Sequence, residues 1–199
     1  MMYDKVLHAY EKLPLGWAGL IMGLILIALH AYALLKPEAT KQALSKAAEN
    51  DKAGKVLLTV DFIWLFLLLL DVSWNPLRMN LFDFNAFRGI LIILCPIVWF
   101  ILYGQKKNLL FPRALGFFLL LAAIVPLTAA FLKAPVTRLL IPIWWYPVLT
   151  VAMFWVGKPY LFRDWAAYYV TKPALYKYSN VFGLIYGVAV TACAILFWF

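Results

Sequence analysis

Charge is scarce in this chain. Lys, Arg, Asp and Glu make up 14% of its 199 residues, against about 25% in soluble domains. No hydrophilic stretch is long enough to build a separate soluble domain. Histidine and cysteine are also rare, at two each. Two histidines exclude a bis-haem or His-box di-iron site made from side chains of this chain alone. Cys95 and Cys193 both fall within apolar sequence, where they read as small buried hydrophobes, and their spacing builds neither a disulfide framework nor a zinc site. No cofactor and no metal centre is expected. Gly-x-Ser-x-Gly and His-Glu-x-x-His are missing, which removes the commonest serine-hydrolase and metalloprotease signatures. The chain also lacks the closely spaced aspartates of enzymes that transfer phospho-alcohol headgroups. There is no internal repeat of the kind that marks inverted-repeat transporters, and no strictly alternating pattern of the kind a membrane β-barrel needs.

What the chain has instead is 66% hydrophobic residues, gathered into six apolar runs at 15–35, 56–74, 89–103, 114–132, 139–157 and 181–199. Most approach the ~20 residues that cross a hydrocarbon core. The pattern predicts an all-α fold: a polytopic membrane bundle of six transmembrane helices with short interfacial segments, forming a single membrane domain over 1–199. The first run is expected to be a span, not a cleaved signal, because Asp4 and Glu11 cancel Lys5 and Lys12 ahead of it. Pro96, Pro126, Pro142 and Pro147 lie inside the runs and are expected to kink their helices.

The net charge of +9 does not point to nucleic acid, since the basic residues sit at the run ends and not in a stripe. Six spans place Lys5, Lys12, Arg78, Arg88, Lys133 and Arg138 on one side. The other side receives Lys36, Lys41, Lys46, Lys52, Lys55, Lys106, Lys107, Arg113, Lys158, Arg163, Lys172 and Lys177. The positive-inside rule puts the richer side in the cytoplasm and both termini outside, in a membrane of the bacterial inner (plasma) type. Segment 36–55 reads as a short solvated helix acting as a hairpin connector. Segment 158–180 mixes tyrosines with Lys158, Arg163, Trp165, Lys172 and Lys177, a composition suited to an interfacial helix over 160–170 touching anionic lipid headgroups.

Ionisable residues within spans are functional candidates by default. His30 lies five residues before the end of the first run and Asp61 five residues after the start of the second. Both should therefore sit roughly 7–8 Å below the same interface, where they are expected to form a buried polar pair. Asp71, Asn75, Arg78, Asp83, Asn85 and Arg88 are interleaved with bulky apolar residues and form a second candidate, an outer-interface polar site for a zwitterionic or phosphorylated headgroup. Gly19-x-x-x-Gly23 and Gly183-x-x-x-Gly187 permit close helix contact, within the chain or between copies. With no catalytic motif, the leading expectation is a non-catalytic membrane protein acting through a membrane-protein partner or as a homo-oligomer. The alternatives are a small transporter or permease subunit using Asp61 and His30, and a lipid-acting enzyme using residues 71–88.

Overall fold

Lys-Pro dipeptides break the chain three times, and each break is a helix boundary. Proline disfavours the helical region for the residue before it. Lys36, Lys158 and Lys172 accordingly leave it, at φ/ψ of −128/63°, −131/74° and −110/90°. Helix α1, Leu15–Leu35, ends at the first break and α2, Pro37–Ala47, begins there. Helix α6, Leu140–Gly157, ends at the second. Helix α7, Tyr160–Thr171, is separated by the third from α8, Pro173–Cys193, which continues into a π-helical turn, Ala194–Trp198. Between α2 and α6 lie α3, Asp51–Leu69, α4, Arg88–Gly104, and α5, Leu110–Ala130. Short 3-10 turns, Phe82–Phe87 and Val136–Leu139, lead into α4 and α6. The structure is a computed structural model. It describes residues 10, 13–72, 75, 77, 79, 81–104 and 109–199, the side chains of Phe82 and Asp83 excepted, and all regular structure among these is helical.

Six helices run between the two ends of the bundle. Antiparallel α1 and α8 lie in close contact: Gly16 meets the Phe199 ring, Gly23 the Thr191 backbone, and Gly187 the Ile27 backbone. Helix α5 is antiparallel to α6, with Gly116 against the Ala152 carbonyl, and parallel to α3, with Gly54 against the Phe111 backbone. Phe62–Phe117 and Trp64–Phe118 ring contacts continue the α3–α5 register. Trp144 and Tyr186 join α6 to α8, while α4 is outermost, resting on α3. Outward-facing side chains include Ile21, Leu24 and Leu29 on α1 and Ile90, Ile93, Phe100 and Ile101 on α4, all exposed. Continuous apolar surface of this extent is tolerable only in lipid. The chain is an all-helical membrane protein.

Among the described residues, five helical segments are long and apolar enough to cross a membrane: Leu15–Leu35, Phe84–Gly104, Leu110–Ala130, Val136–Gly157 and Pro173–Trp198. The count of six is therefore approximate. Helix α3 traverses the bundle but begins five residues before the second apolar run, because Asn50 caps it by accepting from the Ala53 N–H at 3.0 Å. Lys52 and Lys55 thereby become helical, and the helix is less apolar than the others. Pro142 falls in the first turn of α6, where its missing N–H has no helical partner to lose, so it is a start signal and not the expected kink. Pro96, Pro126 and Pro147 do lie within their helices.

The connector at 36–55 is docked, contrary to its reading as a solvated hairpin. Ala48 is buried in a cluster with Phe162 and Ala166 of α7, flanked by Leu44, Ala47, Phe111 and Trp155. One large apolar residue and two alanines suffice because they meet a ready apolar surface made by Phe162 and Ala166 of α7.

Candidate functional site

His30 and Asp61 do not pair. Helix α3 starts at Asp51, so Asp61 lies ten residues in, roughly 15 Å from that end, while His30 stays near the basic end of α1. In addition, α1 lies mainly against α8. The His30 Nδ1 instead makes a 3.0 Å hydrogen bond with Asn180 Oδ1, and the imidazole is packed over Gly183 and edge-on to Trp144.

Asn180 is the centre of a polar network that joins α1, α7 and α8. Its Nδ2 donates to the Tyr176 carbonyl at 2.7 Å and to the Tyr169 hydroxyl at 3.0 Å. Tyr169 in turn shares a 2.5 Å hydrogen bond with Ser179, and the Tyr176 hydroxyl donates to the Ala33 carbonyl at 2.8 Å. Trp165 stacks on Tyr169 with centroids 5.2 Å apart, and Lys41 of α2 lies 5.3 Å above the Tyr176 ring. These groups satisfy one another, so the network is a clamp that holds α7 to the α1–α8 pair. Removing the Tyr176 hydroxyl (Tyr176→Phe) is expected to lower stability by about 0.5–1.5 kcal/mol, read as a lower unfolding temperature in detergent. Asn180 and Ser179 are not singled out by the sequence pattern, and Tyr169 and Tyr176 read there only as interfacial rings of the 158–180 segment. The signal was Pro173: starting the last helix there places Tyr176, Asn180 and Gly183 at i−4, i and i+3 on one face.

Asp61 sits in the middle of α3, on the side facing α5. Its depth matches Phe117 and Phe118, as the ring contacts of its neighbours Phe62 and Trp64 establish. Its exposure is 0%, and among the described residues neither carboxylate oxygen has a hydrogen-bond partner. Arg113, one turn of α5 nearer the basic end, also has a buried Nε without a partner. Among the described residues no group of three His, Cys, Asp or Glu side chains converges on a metal-sized site.

The outer candidate divides into two parts. Asn75 is 3% exposed; its Nδ2 donates to the Leu67 and Leu70 carbonyls at 2.5 and 2.8 Å, and its Oδ1 accepts from the Leu77 N–H. Asn75 thus caps the C-terminus of α3, which is why that helix stops at Leu69 while the apolar run continues. Arg88 pairs with Asp71 at 3.0 Å and donates to Asn85 Oδ1 at 2.8 Å and to the Met79 carbonyl at 2.5 Å. The guanidinium ties the 70–87 connection to the start of α4. Arg78 and the Asp83 side chain lie outside the described residues. Asn75→Ala strands two helix-end carbonyls and is expected to cost about 1–3 kcal/mol, checked by thermal unfolding.

At the basic end, Arg163 pairs with the adjacent Asp164 at 3.0 Å, and Lys172 lies 5.8 Å over the Tyr168 ring. Lys158 and Lys177 are exposed. Trp165 is 42% exposed, the rest of it packed on Phe162 and Trp155. Helix α7 therefore exists where an interfacial helix was predicted.

Fold and polar groups together define a polytopic helical membrane protein with a buried, unpartnered carboxyl in one helix. Comparison with protein-family models, with characterised proteins and with solved structures finds no match.

Proposed function

We propose that this protein is a small carrier, or the membrane subunit of one, in which Asp61 is the group that takes up a proton or a cation. The observation that supports this reading is the complete burial of Asp61 without a hydrogen-bond donor among the described residues. A carboxyl placed centrally in a membrane helix costs about 2.5–3.5 kcal/mol on insertion scales. Polar glue would show a partner across the helix interface, as Asn180 does; Asp61 has none. A group that exchanges its counter-charge is suited to such a place. The twelve basic residues of the richer side support a cytoplasmic assignment for that end, with the first helix beginning and the last helix ending outside, in a cell membrane.

The test is flux. Full-length protein in proteoliposomes carrying an internal pH dye or radiolabelled sodium is expected to show protein-dependent uptake that Asp61→Asn abolishes at equal insertion. Wild-type vesicles no more permeable than empty ones under either gradient would remove the proposal.

A second reading, an assembly subunit, draws on α4. That helix packs only lightly, with Cys95 its one buried residue, and its exposed isoleucines offer a face to another membrane helix. Mild-detergent purification should then recover a stoichiometric companion or a homo-oligomer. The lipid-enzyme reading of residues 71–88 loses support, because Asn75 and Arg88 are engaged with backbone carbonyls.

A further inference from the structure

Helices α3 and α4 touch at a few points and part between them. The Cys95 thiol lies 3.7 Å from the Phe62 carbonyl, and Trp99 Nε1 donates to Thr59 Oγ1 at 3.2 Å. Between these contacts and Phe66 lies a cleft of about 380 Å³, lined by Thr59, Phe62, Ile63, Phe66, Pro96 and Trp99 among others. That volume falls within the range of small-ligand sites. The walls are apolar, and the polar side chains in them are engaged: Thr59 and Trp99 bond to each other, and the Cys95 thiol meets the Phe62 carbonyl.

Polarity returns at one end only. Thr59 Oγ1 donates to the Lys55 carbonyl at 2.8 Å, and one turn further towards the basic end the Lys55 ammonium lies 4.9 Å from the Tyr103 ring centroid. Tyr103 itself leans on Trp99, centroids 5.1 Å apart. Lys52, exposed, is one turn beyond. An apolar slot therefore opens beneath an aromatic pair and two cations at the depth where a leaflet keeps its phosphates.

We propose that this cleft holds one acyl chain of an anionic phospholipid from the basic-side leaflet, with the phosphate at Lys55 and Lys52. Size and charge select this occupant. Thr59 to Leu67 spans ~12 Å along α3, a narrow apolar run suited to part of an extended acyl chain. The lysines then choose the headgroup. The site is independent of Asp61, which faces α5, so either assignment can fail without the other.

The experiment is native mass spectrometry of the full-length protein extracted from vesicles of equal parts phosphatidylglycerol and phosphatidylcholine. Wild type is expected to retain one phosphatidylglycerol per chain with about tenfold preference over phosphatidylcholine. Lys52→Gln with Lys55→Gln should bring that preference close to unity while a lipid is still retained. Ile63→Trp, placed at the rim to fill the slot, should abolish retention of both lipids. Should a variant fail to insert, the wild-type thiols report instead. Cys95 borders the cleft, and its modification by an apolar maleimide should slow as phosphatidylglycerol replaces phosphatidylcholine, with Cys193 unchanged as the internal reference. Equal retention of the two lipids, retention that survives Ile63→Trp, Cys95 labelling indifferent to headgroup, or a second protein bound in place of lipid each overturns the proposal.

Discussion

Asp61→Leu is expected to stabilise this protein while ending its transport. Leucine has the same branched four-atom side chain as aspartate, so the α3–α5 contact keeps its outline and loses its polarity. A buried polar group without a partner costs about 1–3 kcal/mol in protein mutational data, and among the described residues neither oxygen of Asp61 has one. The variant should therefore gain roughly that amount, seen as a higher unfolding midpoint by tryptophan fluorescence in detergent. Flux through proteoliposomes should vanish in the same preparation. Opposite signs for stability and activity characterise a group retained for function against its energetic cost. The decisive result is a stability loss: if Asp61→Leu unfolds more easily than wild type, the carboxyl has a partner that holds α3, and its role is structural.

The bundle was legible in the sequence because lipid imposes a simple rule: an apolar run of the right length is a helix, and Leu15–Leu35 obeys it to the residue. Boundaries were misjudged wherever a side chain, not hydropathy, ends a helix. Asn50 starts α3 five residues early and Asn75 stops it early, which shifts Asp61 away from His30 and dissolves the expected pair. Pro173 starts α8 eight residues before the apolar run, bringing Asn180 into the helix and making it the true partner of His30. Hydropathy averages over such caps; a reading that takes each Asn and Lys-Pro as punctuation before measuring depth places both residues correctly. The choice of neighbours was less accessible. Pairing His30 with Asp61 requires consecutive spans to be neighbours, yet α1 is held mainly by α8, from the opposite end of the chain. That pairing depends on glycines whose meaning appears only when both helices are in view.

Those glycines carry the second large effect. Gly19 and Gly23 on α1 face Gly187 and its successors on α8: an added Cβ would lie 2.1 Å from the Trp198 ring at Gly19, and 2.9 Å from the Thr191 backbone nitrogen at Gly23. On the other side, a Cβ at Gly187 would come 3.0 Å from the Ile27 nitrogen, and one at Gly183 would meet the His30 ring at 2.2 Å. The two small-residue motifs thus interlock antiparallel within one chain, so this contact is internal and not the seam of a dimer. A ring such as Trp198 can turn aside, but backbone cannot, and Gly23 is closed in by backbone. Gly23→Leu is therefore expected to force α1 from α8 and cost about 3 kcal/mol or more, the upper end of overpacking effects, while Gly89→Leu, which has open space around it, should change stability little. Thermal unfolding of the two variants side by side is the measurement. Because His30 is held two turns further along the same seam, Gly23→Leu should also free the His30–Asn180 bond, read as a shift of the imidazole resonances in a labelled sample. Equal stability of the two variants would mean that α1 and α8 do not pack at Gly23.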